Sequence, residues 1–345
     1  MSAAEEPHGE SPFIVWVPPP GWGFFANFFW VLDGLSLAQR NGWCPVVDMQ
    51  RHTTRFNERR PVHGTTNAWE YYFEQPGDIS LTEADTPGAL RQDGRLLGEF
   101  FWTPTELADD PRVHGELAAR GRMLLERYVR VRPDIAASVD TVVPQADATH
   151  TLGVHVRGTD MRRPEAPGHP IPPPPSAYLD AALRIATDRS VDRVYLACDE
   201  TETVDLFSAA FGSTLVVTDA YRVSTTTPTA PGYTWWFGAR RPQHRYRLGR
   251  EVLVDALALS RCTSLLCGAS NVALAATMFA AQLPELYTVP AIAVSEVVPS
   301  RVRHLRRVPM SSAVLARVRR TLAAHQRGGP PRVERGPDSP GGPDR

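Results

Sequence analysis

The chain has 345 residues, enough for two domains that each bury a core of their own. Hydrophobic residues make up 42% and charged residues 22%, which predicts a soluble globular protein, and a formal net charge of -1 argues against nucleic acid or an anionic membrane as partner. All 37 positions counted as Lys+Arg are arginine, so Schiff-base chemistry and a Walker-type phosphate lysine are excluded.

The ends of the chain differ in composition from the rest. Residues 1–11 predict a disordered leader, and residues 328–345, rich in Gly, Pro and charge, predict a disordered tail. Neither a basic n-region nor an apolar stretch of spanning length is present, so we expect a cytoplasmic bacterial protein with no membrane span. The four cysteines show no CxxC spacing and are expected to be reduced core residues.

The first predicted domain covers residues 12–148. A strand at 13–17, a Pro/Gly loop, a helix ending near Gly42 and a strand at 44–48 open a doubly wound sheet. An irregular aromatic stretch follows at residues 51–76, and a helical stretch at 107–131. Residues 133–151 then pass through a helix into a polar turn.

The second predicted domain covers residues 149–327. Strands and helices alternate along it, which indicates a second βαβ series. The predicted strands are one starting at residue 151 and three at 193–198, 214–217 and 264–267. The predicted helices are 176–187, 200–211, 248–260 and one from residue 272. We therefore expect an α/β protein with two Rossmann-like domains facing across a cleft.

The most informative stretch is residues 151–160, TLGVHVRGTD, a buried strand that ends in polar residues. His155 and Arg157 leave the same side of the strand, at the end where open α/β sheets bind ligands. A guanidinium there offers a fork of donors to a phosphate, and the imidazole adds another donor or a charge. Alternatively, both side chains hydrogen-bond a loop.

Two further features fit a binding site for a nucleoside diphosphate. Ser270 and Asn271 start a helix after the last strand, where backbone N–H groups favour an anion, although Ser is also a common N-cap. Asp255 lies in the apolar helix VLVDALALS and either pairs with Arg250 or reads a ligand. Guanine offers a carboxylate two parallel N–H donors, whereas uracil offers one.

These motifs resemble, in order over residues 150–280, the donor site of α1,6-fucosyltransferases, including the bacterial nodulation enzymes. The likeness covers four motifs: HVRGTD at residues 155–160, VYLACDE at 194–200, RxxxxD at 250–255 and the CxxS turn at 267–270. It implies a GT-B fold and a GDP-sugar donor. The donor-binding residues it implies are His155, Arg157, Asp160, Asp199, Arg250, Asp255, Ser270 and Asn271.

The loop GFFAN, from Gly23 to Asn27, is similar to the G-x-x-x-N loop of protein O-fucosyltransferases, whose Asn lies close to the donor sugar. The resemblance implies an inverting transfer of fucose, or a related sugar, to a hydroxyl, without a metal or other cofactor. The sequence contains no Asp-x-Asp triplet, the usual metal–diphosphate motif of the other major glycosyltransferase fold.

The chain also departs from the α1,6 enzymes. Met161 stands where those enzymes have a lysine directly after the motif aspartate. Glu165 matches the position of their proposed general base. Alternatively, Glu165 is a solvated carboxylate in a proline-rich loop. Another GDP-hexose donor and a non-catalytic nucleotide-sugar-binding protein therefore stay open as alternatives. The aromatic residues Trp69, Tyr72, Trp235 and Trp236 are candidate stacking platforms for an unidentified acceptor, or simply core.

Overall fold

The protein is represented by a computed structural model. It describes residues 11–17, 22–92, 99–100, 111–144, 150–158, 170–224, 241–291, 293–294 and 333–335. Within these ranges no helix is long and apolar enough to cross a membrane.

The described residues of the first half form three strands and four helices. The strands are β1 (Pro12–Trp16), β2 (Cys44–Asp48) and β3 (Leu90–Gln92). The helices are α1 (Phe24–Asn41), α2 (Leu81–Ala84), α3 (Pro111–Tyr128) and α4 (Pro133–Val142). Helix α1 ends where predicted, because Gly42 adopts the left-handed conformation (φ 65°) that closes a helix without a Cβ clash.

The second half alternates strands with helices. Its strands are β4 (Thr151–Val156), β5 (Pro170–Ile171), β6 (Arg193–Cys198), β7 (Leu215–Val216), β8 (Ser264–Cys267), β9 (Glu285–Thr288), β10 (Ala293–Val294) and β11 (Val333–Arg335). Its helices are α5 (Pro175–Asp188), α6 (Thr201–Phe211), α7 (His244–Leu259) and α8 (Asn271–Phe279).

The predicted α/β class is confirmed by two mainly parallel sheets. The second half forms a parallel sheet in the order β7-β6-β4-β8-β9, which is the strand order of a doubly wound fold. In the first half, β3, β1 and β2 are parallel neighbours, and β11 pairs antiparallel with β3. A separate antiparallel pair joins β5 to β10.

The predictions and the structure differ in several places. Strands β2, β6 and β8 have the predicted bounds, whereas α2, β3 and β9 were not predicted. Within the predicted tail, residues 333–335 form β11, and the predicted leader, residues 1–10, lies outside the described residues. The four cysteines are free, as predicted.

Helix α7 begins one turn before the predicted start, because the other half of the chain caps it. Glu58 accepts hydrogen bonds from the backbone N–H groups of Arg245 and Tyr246, at 2.8 and 3.0 Å. A carboxylate satisfies N–H groups that a helix start otherwise leaves unpaired and interacts favourably with the helix dipole. The polar residues of this turn carry no apolar periodicity, so the sequence pattern missed it.

The two halves share one buried core. Phe28 of α1 lies against Phe279 of α8, with ring centroids 5.7 Å apart. The Tyr72 hydroxyl donates to the backbone oxygen of Tyr246 at 3.1 Å. Gly249 permits this approach, because a Cβ there would lie 2.3 Å from the Tyr72 hydroxyl.

We predict that Gly249→Ala destabilises the protein by about 1–2 kcal/mol, because the buried Tyr72 ring cannot move away without losing its hydrogen bond. In an unobstructed helix the same change stabilises by up to about 1 kcal/mol. Gly115→Ala in α3 is the matched control, since a Cβ there meets nothing closer than 4.0 Å. Urea unfolding of both variants measures the difference, and equal stabilisation by both would contradict the packing.

Candidate functional site

A solvent-open cleft lies at the carboxyl ends of β4 and β6, beside α7. This is the edge at which doubly wound sheets bind ligands. Its lining residues are His155, Val156, Arg157, Ala197, Cys198, Asp199, Ala220, Tyr221, Leu248, Glu251, Val252, Asp255 and Val272. Four predicted donor-site residues, His155, Arg157, Asp199 and Asp255, are therefore brought together.

His155 is 6% exposed and lies between Ala197 of β6 and Cys267 of β8 in the sheet register. Burial, reinforced by the nearby Arg157 cation, lowers the pKa of His155 to about 3. The imidazole is therefore neutral at physiological pH. Its Nδ1 is buried, and none of the described residues forms a hydrogen bond with it.

Arg157 and Asp199 face each other where β4 and β6 end. The Arg157 Nη1 lies 3.6 Å from Asp199 Oδ2, and the Arg157 side chain is 35% exposed. Asp199 Oδ1 accepts the backbone N–H of Gly158 at 3.1 Å, so one carboxylate holds both residues after β4. A Cβ at Gly158 would lie 2.5 Å from the Glu200 carboxyl carbon, which explains the glycine.

Asp255 projects from α7 into the cleft and is held by two hydroxyl groups. Tyr195 donates to Asp255 Oδ1 at 2.6 Å, and Thr218 donates to the same oxygen at 3.1 Å. Burial raises the pKa of Asp255 to about 6, although both hydrogen bonds and the charge of Arg222 lower it. Arg250 does not pair with Asp255 and donates instead to Ser138 on α4.

The expectation that Asp255 reads two guanine donors stays a prediction, and the geometry shows which oxygen of the carboxylate is already engaged. An ionised carboxylate offers about four lone-pair positions, two on each oxygen. Tyr195 and Thr218 use those of Oδ1, so Oδ2 is the oxygen available to a ligand.

Sequence patterns missed two arginines near the cleft. Arg222 anchors its Nη1 on the backbone oxygens of Thr218 and Ala220, at 2.9 and 3.2 Å. Arg241 pairs through both terminal nitrogens with Glu251 and lies 4.8 Å from the Tyr221 ring centroid. Both follow β7 in loop sequence that carries no periodicity, so only the fold reveals them.

Ser270 acts as the N-cap of α8. Its hydroxyl accepts the backbone N–H groups of Val272 at 3.1 Å and Ala273 at 3.4 Å, so these donors are already engaged. Ser270 is therefore the N-cap that the sequence offered as one of two alternatives, and Asn271 is the first residue of the helix. Arg157 lines a smaller hollow together with Gly268 and Ala269, which brings the turn after β8 close to the arginine.

The predicted residues of the first half lie elsewhere. Gly23 is exposed at the start of α1, and the Asn27 side chain bonds the backbone N–H and oxygen of Trp22, at 2.9 and 3.2 Å. Trp69 and Tyr72 are each 2% exposed in the core. The expectation that these two rings stack on an acceptor is therefore wrong, because neither ring face is accessible.

Asp160, Glu165, Trp235 and Trp236 lie outside the described residues. Across the part of the chain that the structure describes, no group of three or more His, Cys, Asp or Glu residues is placed to hold a metal ion.

Comparisons with known proteins give matches among solved structures alone. No protein-family model and no curated protein matches the chain. The fucosyltransferase NodZ from Bradyrhizobium is 18% identical, with a TM-score of 0.47 over 79% of this chain and 94% of its own. POFUT1 in complex with GDP is 11% identical, with a TM-score of 0.45 over 80% of this chain and 98% of its own. Both likenesses are distant in sequence and in geometry.

We predict that Asp255→Asn stabilises the free protein at pH 7.5 by on the order of 1–2 kcal/mol. A carboxyl whose folded pKa is about 6, against an ordinary 3.8, binds its proton more tightly when folded. The wild type therefore loses stability as the pH rises from about 4 to above 6, and an amide, which cannot ionise, avoids this loss.

Denaturant unfolding at pH 4 and pH 7.5 measures the effect, which should vanish at pH 4. Asp180→Asn, at an exposed position on α5, is the control. It should leave the free energy of unfolding unchanged at both pH values. A lower stability of Asp255→Asn at pH 7.5 would mean that the ionised carboxylate supports the fold.

Proposed function

We propose that the protein is an inverting glycosyltransferase of GT-B architecture that moves fucose, or a related sugar, from a GDP-sugar to an acceptor hydroxyl. The observation that carries the proposal is one cleft, at the carboxyl ends of β4 and β6, lined by His155, Arg157, Asp199 and Asp255. The same residues carry the sequence resemblance to α1,6-fucosyltransferases. The acceptor is unassigned.

Each residue has a role in this proposal. The acceptor oxygen attacks the anomeric carbon while the bond from that carbon to the β-phosphate oxygen breaks, and GDP departs with the electron pair. The Arg157 guanidinium stabilises the charge that develops on the phosphate. Neutral His155 donates a hydrogen bond to the same diphosphate. Glu165 takes the acceptor proton, and Asn27 supports the loop nearest to the sugar.

Arginine supplies the charge stabilisation that a metal supplies in other glycosyltransferases. No metal or other cofactor is needed in this scheme. Met161, in place of a lysine, favours the alternative of a protein that binds a nucleotide sugar without turnover. Hydrolysis of GDP-fucose in the absence of acceptor, measured with EDTA present, separates the two functions, because a binding protein releases no GDP.

We predict that GDP raises the melting temperature more than ADP, UDP or dTDP does at equal concentration. The N1–H of guanine can donate to Asp255 Oδ2, whereas N1 of adenine presents a lone pair to it. A pyrimidine covers less of the apolar lining formed by Ala197, Leu248 and Val252. At a hundredfold excess over its Kd, GDP should add about 2.7 kcal/mol to the free energy of unfolding.

A thermal-shift series with the four nucleotides measures this preference. Equal shifts with UDP and GDP would contradict the assignment of the base to this cleft. The same series with Asp255→Asn should show a smaller shift with GDP.

We predict that Arg157→Ala and Arg157→Lys both reduce turnover by on the order of a hundredfold to a thousandfold. Lysine keeps the charge but cannot present the two-pronged fork of donors to a phosphate. The melting temperature should change little, because the pair with Asp199 is partly exposed and its atoms are 3.6 Å apart.

The measurement is GDP release from GDP-fucose, with and without EDTA. Arg189→Lys is the control, since Arg189 forms an exposed pair with Glu285 far from the cleft, and it should keep full activity. Retained turnover in Arg157→Lys would make Arg157 a simple point charge, and unfolding of Arg157→Ala would make it structural.

A further inference from the structure

The two oxygens of the Asp255 carboxylate have different surroundings. Oδ1 accepts from Tyr195 at 2.6 Å and from Thr218 at 3.1 Å. No hydrogen bond from the described residues reaches Oδ2. Because Asp255 lines the cleft, its carboxylate meets a ligand with one oxygen engaged and one available.

Both hydroxyl groups are fixed by the sheet and not by α7, the helix that carries Asp255. Tyr195 is fully buried on β6, where it pairs with Gly153 of β4 and Val216 of β7. Thr218 follows β7, and its backbone oxygen accepts from Arg222 at 2.9 Å. The orientation of the carboxylate is therefore set by two elements outside its own helix.

We propose that Tyr195 and Thr218 are positioning residues that make Asp255 a reader of a single N–H of the nucleotide base. Oδ2 accepts the ring N–H next to the carbonyl group, and the exocyclic 2-amino group of guanine is not read. This inference rests on the proposed function, since it places the base of the nucleotide in this cleft.

Inosine diphosphate (IDP) is the discriminating probe. Hypoxanthine and guanine share the N1–H and O6 groups and differ in the 2-amino group alone. If Asp255 accepts one N–H, the wild-type protein binds GDP and IDP with Kd values within about threefold of each other. A second hydrogen bond to the charged carboxylate would favour GDP by about tenfold or more.

Removing the hydroxyl groups should create the selectivity that the wild type lacks. Thr218→Val and Tyr195→Phe free lone pairs on Oδ1 without changing side-chain size greatly. We expect the ratio of the IDP Kd to the GDP Kd to rise severalfold in each single variant and by about tenfold in the double variant. Isothermal titration calorimetry on the full chain measures both Kd values.

Two matched variants remove hydroxyl groups elsewhere. Tyr287→Phe removes a hydroxyl that accepts from Arg189, and Thr214→Val removes one that donates to the backbone of Phe211. Neither residue lines the cleft or contacts Asp255. Both variants should keep the wild-type ratio.

A pH series separates positioning from a general loss of structure. The charged and titratable groups beside Asp255 or along the same cleft come from every element around it: His155 on β4, Arg157 after β4, Tyr195 and Cys198 on β6, Asp199 after β6, Tyr221 and Arg222 after β7, and Glu251 on α7. His155, with a pKa of about 3, stays neutral throughout, and Glu251 is held by Arg241.

GDP affinity should therefore weaken as the pH falls through about 6 and Asp255 gains a proton. Tyr195→Phe removes a hydrogen bond that lowers the pKa of Asp255, so the midpoint should move to higher pH. A purely structural role would lower the affinity equally at every pH.

The outcomes separate this inference from the proposed function. If wild-type protein binds GDP more than tenfold tighter than IDP, or if the double variant keeps the wild-type ratio, the inference is overturned while the GDP site stands. If neither GDP nor IDP binds, the proposed function fails and the inference fails with it. Should Tyr195→Phe not fold, Thr218→Val decides alone, and an unchanged ratio in it overturns the inference.

Discussion

The parallel pairing of β4 with β6 on one side and with β8 on the other is the constraint on which the candidate site depends. The carboxyl ends of parallel neighbours lie at one edge of the sheet, and the cleft opens where β4 and β6 end. His155 lies between Ala197 and Cys267 within this arrangement. Arg157 follows directly, so the strand pairing fixes both side chains at the mouth of the cleft.

Burial at this crevice decides which charges the protein can present. It keeps His155 neutral and raises the pKa of Asp255 to about 6, whereas the partly exposed Arg157 stays cationic beside Asp199. The cleft therefore presents the Arg157 cation, the neutral His155 imidazole and the Asp255 carboxyl group, which changes its protonation state near pH 6. A buried carboxylate with a raised pKa in a cleft is typical of functional sites.

The two halves of the chain meet through specific polar contacts as well as a shared apolar core. Glu58 caps α7 from the opposite half, and Tyr72 reaches the backbone of the same turn. Because α7 also carries Asp255, contacts made by the first half help to fix the helix that lines the cleft. The first half thus supports the site at a distance from it.

The sequence by itself determined the α/β class, the strands β2, β6 and β8, and the grouping of His155, Arg157, Asp199 and Asp255. Apolar runs bounded by turns specify strands, and the carboxyl ends of parallel strands share one edge of a sheet. The tertiary structure alone decided that Trp69 and Tyr72 are core, that Arg250 bonds Ser138 and not Asp255, and that Tyr195 and Thr218 hold Asp255. These outcomes join residues far apart in the chain, and their partners depend on burial and on distances that no local pattern encodes.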